Sequence, residues 1–123
     1  MVSEHLILFI CLVHFLADFG LQTNEQATLK STNNLMLFYH VGVYTIIWGL
    51  FSIILFDSST YKLWRCIYFI IFTFGSHFIT DYFTSRLVKK FFDKQDYHNG
   101  FVVIGFDQLI HILTLWYSIK LLL

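Results

Sequence analysis

The chain has 123 residues, of which 57% are hydrophobic and only 13% are charged, and its formal net charge is zero. A soluble domain of this length is normally far more polar, so the composition predicts a single integral membrane domain over residues 1–123. The zero net charge gives no reason to expect nucleic-acid binding, and Cys11 and Cys66, which lie alone in separate apolar segments, do not indicate a disulfide framework.

Four apolar segments are long enough to cross a membrane, which takes about 20 helical residues. In chain order they cover roughly residues 5–22, 35–56, 63–85 and 101–123, and the polar stretches TNEQATLKSTNN, FDSSTYK and DKQDYHNG connect them. The third segment continues over roughly residues 86–94 as a basic, amphipathic stretch, which fits either an interfacial extension or a solvated helix end. The predicted fold is therefore all-α, a four-transmembrane-helix bundle.

Basic residues near the ends of these segments predict the orientation of the bundle. Five of them lie on one side and three on the other, namely Lys30, Arg86, Lys89, Lys90 and Lys94 against Lys62, Arg65 and Lys120. Because basic residues are enriched on the cytoplasmic side, we expect the larger group inside and both termini outside.

Seven ionisable residues lie inside the apolar segments, where a charged group costs at least about 2.5–3.5 kcal/mol. They are His14, Asp18, His40, His77, Asp81, Asp107 and His111. On three of the helices a histidine and an aspartate are four residues apart, a spacing that puts both side chains on one helix face. All seven also fall at one depth, in the cytoplasmic half under the predicted orientation, because the chain reverses direction at each connection.

The order of the pair is reversed on the last helix. HFLADF and HFITDY, which begin at His14 and His77, place the histidine first, whereas DQLIH, from Asp107 to His111, places the aspartate first. Since the last helix runs in the opposite direction, the reversal keeps the histidines towards the membrane centre and the carboxylates towards the cytoplasmic face. The sequence thus predicts a layered intramembrane His/Asp cluster.

Such a cluster favours a divalent metal, because burial and mutual repulsion strongly disfavour free charged groups in an apolar bundle. Imidazole and carboxylate ligands suit zinc, manganese or iron better than calcium. Seven potential ligands exceed the four of one tetrahedral zinc, which indicates two ions with water between them. All seven residues are therefore predicted metal ligands.

Further roles follow from the same arrangement. Gln22, Tyr44 and Gln108 are expected to orient the ligands or the substrate. Of the three aspartates, Asp18, Asp81 and Asp107, one that is not coordinated could serve as general base.

Three other interpretations of the cluster stay open: a proton or divalent-cation pathway, haem held by axial histidines, or polar contacts that only join the helices. A pathway ranks second, after the metal site, because the outer halves of the helices have few polar side chains along which a proton or ion could pass. Examples of such side chains are those of Thr45, Ser52, Tyr68 and Thr73.

The ordered motifs HFLADFGLQ, followed by Ala27 and Lys30, then HVGVY, HFITDY and DQLIH, resemble an uncharacterised family of small bacterial and phage-encoded integral membrane proteins. The resemblance covers essentially the whole chain and implies a bacterial inner membrane as its location. The chain departs from the family pattern at Thr84, where a lysine is usual, and the next basic residue is Arg86. The layout is also similar, more loosely, to membrane-bound metal-dependent hydrolases.

These observations together predict a membrane-embedded metal-dependent hydrolase acting on a phosphoester-type or lipid-linked substrate near the cytoplasmic face. The expected partners are the lipid bilayer, a lipid or phosphorylated small-molecule substrate, and a second copy of the chain in a homodimer. A proton- or divalent-cation-conducting transporter is the alternative.

Overall fold

The computed structural model describes residues 4–56 and 60–123, and within these ranges the regular structure is all-helical. The chain forms α1 (Glu4–Phe15), a π-helical turn (Leu16–Gly20), α2 (Asn24–Leu29), α3 (Asn34–Leu55), α4 (Lys62–Asp93) and α5 (Tyr97–Leu122). The predicted all-α class is confirmed. Of the described helices, α3, α4 and α5 are long and apolar enough to cross a membrane.

The first predicted span, residues 5–22, is divided between α1 and the π-helical turn, and the helical part ends at Gly20. In the turn, the Leu21 N–H donates to the Leu16 carbonyl five residues earlier, at 2.9 Å. An α-helix would join residues four apart, so the turn is wider and changes the angular position of every side chain that follows Leu16.

The polar connection after the first span contains a short helix, α2, that the sequence interpretation did not include. Thr23 begins it with a capping box: the Gln26 N–H donates to Thr23 Oγ1 at 3.2 Å, and the Thr23 N–H donates to Gln26 Oε1 at 3.0 Å. These two bonds satisfy backbone donors that a helix start leaves open. The chain is thereby folded back so that Lys30, at the end of α2, reaches the bundle interior.

The extension predicted over residues 86–94 is mainly a continuation of α4, which runs without a break for 32 residues. A turn that contains Gln95 in the left-handed region, with φ 58°, reverses the chain into α5. Residues 57–59 of the predicted FDSSTYK turn lie outside the described residues.

The interior of the bundle changes character along its length. Around Trp48 and Phe69 it is apolar and includes Ile10, Leu115 and Ile119. The cluster of histidines and aspartates takes the place of this apolar core further along the helices. Large apolar side chains such as Ile46 (65% exposed), Ile54 (71%) and Leu121 (71%) cover the outside, as in a protein whose solvent is lipid.

Candidate metal centre

All seven predicted ligands converge in the interior of the bundle. Each is at most 8% exposed: His14, Asp18, His40, His77, Asp81, Asp107 and His111. They come from α1, the π-helical turn, α3, α4 and α5, so every long helix contributes at least one side chain. The His77 and His111 rings stack, with centroids 4.1 Å apart and planes within 8° of parallel.

A first group of potential ligands consists of Asp18, His40, His77 and Asp81. His40 Nε2 lies 3.0 Å from Asp18 Oδ1 and 3.3 Å from Asp81 Oδ2. His77 Nε2 lies 3.5 Å from the same Asp18 oxygen and 3.4 Å from the same Asp81 oxygen. The two imidazole nitrogens are 3.3 Å apart.

These separations have the size that a single tetrahedral ion would impose. With metal–ligand bonds of about 2.0–2.1 Å, the ligand atoms of a tetrahedral zinc site are about 3.3–3.4 Å from one another. The five separations within the first group run from 3.0 to 3.5 Å. The four buried side chains could therefore hold one metal ion.

A second group consists of Asp18, Asp107 and His111. His111 Nε2 lies 3.3 Å from Asp107 Oδ2 and 3.0 Å from Asp81 Oδ1. Asp18 is thus shared by both groups, and Asp81 directs one oxygen to the first group and the other to His111. This second set could also hold an ion.

His14 lies beside these groups and belongs to neither of them. Its Nε2 is 3.6 Å from Asp18 Oδ2, while Nδ1 is 2.9 Å from the Tyr44 hydroxyl and Nε2 is 2.7 Å from Gln108 Oε1. These bonds are satisfied when Tyr44 donates to Nδ1 and the Nε2–H donates to Gln108. In this arrangement His14 holds the Tyr44 and Gln108 side chains in position.

The three residues predicted to orient the ligands lie close to the cluster. Gln108 Nε2 donates to Asp18 Oδ2 and to Asp107 Oδ2, both at 3.0 Å. Tyr44 bonds His14 as described above. Gln22 lies past the end of the helix, and its buried Oε1 has no hydrogen-bond partner among the described residues.

The π-helical turn places Asp18 in the cluster and ends the first helix, after which the chain continues to α2. Asp18 is its third residue and is 2% exposed. Turns of this kind occur frequently at functional sites. The turn also ends the helix two residues after Asp18, so Gln22, four residues after Asp18, lies beyond the helix.

Lys30 also belongs to the cluster, although the sequence interpretation used it only to predict the orientation and as part of the family motif. Its Nζ donates to Asp81 Oδ2 at 3.0 Å and lies 3.3 Å from His40 Nε2. Burial alone would lower the pKa of Lys30, but the Asp81 and Asp18 carboxylates outweigh burial and raise that pKa above its ordinary value. The residue is therefore a charged ammonium group. Its position in the motif after HFLADFGLQ was the available signal.

The family model described as "Protein of unknown function (DUF3307)" matches residues 6–122. The chain belongs to this family. A search of curated proteins and a search of solved structures each found no match.

In this DUF3307 chain, a cavity of about 480 Å³ adjoins the cluster on the side of α2 and the α4–α5 turn. Its walls include all three clustered aspartates, together with Gln22, Lys30, Thr84 and Gln108. None of the four clustered histidines lines it; His77 and His111 face a narrow cleft on the opposite side. Carboxylates near the cavity and histidines behind them are the order that the reversed motif on α5 predicts.

Thr84 lies at this wall, and its hydroxyl donates a hydrogen bond to Asp107 Oδ1. Asp107 is 8% exposed, more than Asp18 or Asp81. Among the clustered carboxylates it is the one best placed to meet a molecule in the cavity.

Proposed function

We propose that this chain binds two divalent metal ions, with zinc as the first candidate and manganese or iron as alternatives, and hydrolyses a phosphoester-type or lipid-linked substrate. The observation that carries the proposal is the sharing of carboxylates between two ligand groups. Asp18 belongs to both groups, and Asp81 directs Oδ2 to His40 and His77 and Oδ1 to His111. Two ions about 3.5–4 Å apart, joined in this way, are typical of phosphoester-cleaving sites.

The proposal places four spans in a bacterial inner membrane, with α1 and the π-helical turn as the first. These elements bury Ile10, Val13 and His14 and turn Leu8 and Leu12 outward, at 60% and 61% exposed. The excess of basic residues at one end of the bundle supports termini on the outer side and a cavity that opens to the cytoplasmic side.

The residues divide into holding and reacting roles. His40, His77, Asp18 and Asp81 would hold one ion, and His111 and Asp107 would complete the other with the shared carboxylates. Bound divalent ions lower the pKa of a coordinated water towards about 7 and stabilise negative charge.

Asp107 has two carboxylate oxygens, so one would bind the second ion while the other, at the cavity wall, would accept the proton of the attacking water. Thr84 and Gln108 hold this carboxylate in place by hydrogen bonds. The water oxygen would then form its bond to phosphorus, the ester P–O bond would break, and Asp107 would pass the proton to the leaving oxygen. Lys30, on the same wall, supplies a positive charge for a phosphoryl oxygen.

Metal content of detergent-purified protein tests the proposal, because the two groups share Asp18 but not Asp107. We expect elemental analysis to find about two ions in the wild type, loss of both in Asp18→Asn and loss of one in Asp107→Asn. Glu25→Gln, which removes the charge of an exposed residue on α2, is the matched control and should leave the metal content unchanged.

Folded wild-type protein with no bound metal would refute the metal centre. With metal present, hydrolysis of phosphodiesters and phospholipids should require Asp107, whereas inactivity across a broad panel would refute the hydrolase. An absorbance band typical of haem would identify a different cofactor altogether.

A transporter is the second candidate, and one feature favours it. The narrow space behind His77 and His111, which is too small to hold a water molecule, is lined by residues that carry hydroxyl groups, namely Tyr44, Thr73, Ser76, Thr114 and Ser118. Thr73 Oγ1 is buried there without a hydrogen-bond partner among the described residues. Metal-dependent proton flux in liposomes, without hydrolysis of any substrate, would favour transport over the enzyme.

A further inference from the structure

A second cavity, which we call the basic pocket, lies beside the one at the metal centre. It measures about 380 Å³ and is lined by Ser31, Arg86, Lys89, Lys90, Asp93 and Lys94. Ser31, Lys89 and Asp93 also line the cavity that reaches the clustered aspartates. The two spaces therefore adjoin, and a ligand in one lies next to the other.

The basic pocket carries four cationic side chains and a single carboxylate. That carboxylate, Asp93, is paired with Lys89 at 2.5 Å. Lys90 and Lys94 are exposed, and neither forms a salt bridge with a carboxylate in the described part of the chain. The pocket thus has an excess of positive charge that an anion would balance.

Arg86 is held in place at the edge of the pocket. Its Nη1 donates to the Tyr82 carbonyl at 2.9 Å, its Nη2 donates to Asn34 Oδ1, and its guanidinium carbon lies 3.8 Å from the centre of the Tyr82 ring. Because these contacts already fix the guanidinium group, it loses little conformational entropy when it binds a phosphate. The oxygens of a phosphate match the planar arrangement of the guanidinium N–H donors.

The position of the pocket along α4 indicates that the phosphate of a lipid headgroup is within reach. Arg86 and Lys94 follow Asp81 by five and thirteen residues, or about 7 and 20 Å along a helix. Phe83 is 66% exposed and Leu87 is 41% exposed on the same stretch, so apolar surface suited to acyl chains adjoins the cations. Under the proposed orientation the pocket lies just beyond the cytoplasmic end of α4, where basic clusters bind anionic lipid headgroups.

We propose that the basic pocket binds the phosphate of a lipid headgroup and presents that lipid to the neighbouring cavity. The proposal gives the ligand a defined class: an anionic phospholipid that approaches from the membrane. Only its role as a substrate rests on the proposed hydrolase; binding to the pocket does not require metal.

Native mass spectrometry of the detergent-purified full chain can test this with phosphatidic acid and with phosphatidylcholine of the same acyl chains. We expect selective binding of phosphatidic acid. In Lys90→Gln/Lys94→Gln the affinity for this lipid should fall by about tenfold or more, because each basic residue near a membrane surface strengthens the attraction to anionic lipid. Lys62→Gln/Lys120→Gln, the same charge change at the other end of the bundle, should bind like the wild type. Equal thermal unfolding of the two double variants controls for folding.

Three results would overturn the proposal: no preference of the wild type for phosphatidic acid, equal losses in both double variants, or inorganic phosphate that displaces the lipid at comparable concentration. Asp107→Asn separates the two proposals, since it removes a residue of the metal centre and should retain phosphatidic acid. A wild type that binds the lipid but contains no metal would refute the hydrolase and leave the lipid site standing.

Discussion

Replacement of Lys30 by methionine should destabilise the protein strongly when no metal is present. Lys30 donates to Asp81 at 3.0 Å, and its side chain is 21% exposed against 2% for that of Asp81. Removing one partner of a buried ion pair costs about 3–5 kcal/mol, because it leaves an uncompensated buried charge. His40 and His111 also contact Asp81, so we expect the lower end, about 3 kcal/mol.

For a chain of this size that loss corresponds to a melting temperature lower by about 10 °C. Thermal unfolding in detergent and chelator, followed by tryptophan fluorescence, measures it. The double variant Lys30→Met/Asp81→Asn removes both charges and should recover most of the stability. Added zinc should stabilise Lys30→Met more than the wild type, because the ion supplies the missing positive charge. A Lys30→Met variant that melts with the wild type in chelator would refute this account of the cluster.

Two further predictions concern the α4–α5 turn. Asp96 caps α5 by accepting from the Asn99 backbone and side-chain N–H groups, at 3.2 and 2.7 Å, and these bonds lower the pKa of Asp96 from 3.8. Since the lowered pKa belongs to the folded state, the capping stability is present above pH about 4 and is lost as the pH falls through the lowered value. Asp96→Ala should therefore melt a few degrees below the wild type at neutral pH, and melting curves recorded on acidification should converge. Gly100→Ala would bring its Cβ into steric overlap with the Phe92 ring, so we expect a loss of about 1–3 kcal/mol in the free energy of unfolding. Gly105→Ala, with nothing within 4 Å of the added Cβ, should be tolerated.

The spacing and order of the polar residues were sufficient to predict that the seven histidines and aspartates meet. A four-residue spacing fixes a common helix face, and chain reversal at each connection fixes a common depth. Neither inference needs the packing angles of the helices. For this reason the aspartates and histidines of α4 and α5 could be placed together, and the order DQLIH could be related to the direction of its helix.

Spacing and order did not reveal the π-helical turn or the position of Lys30 in the cluster. A π-helical turn differs from an α-helical one by a single residue per hydrogen bond and has no distinct pattern of residue types, so residues 5–22 were predicted as one regular helix. Lys30 enters the cluster because α2 folds the chain back, which is a property of tertiary packing. Thr23 and Gln26 carry the capping signature that could have revealed α2, and therefore the changed path.

The two ligand groups differ in a way that assigns them different roles in the proposed enzyme. The group of Asp18, His40, His77 and Asp81 has four protein ligands, each at most 2% exposed, which is typical of a closed, structural zinc site. The second group has fewer ligands of its own and includes Asp107 at the cavity wall. Catalytic sites keep a position open for water or substrate. We therefore infer that the first ion would mainly fix the shared carboxylates, and that the chemistry would take place at the second.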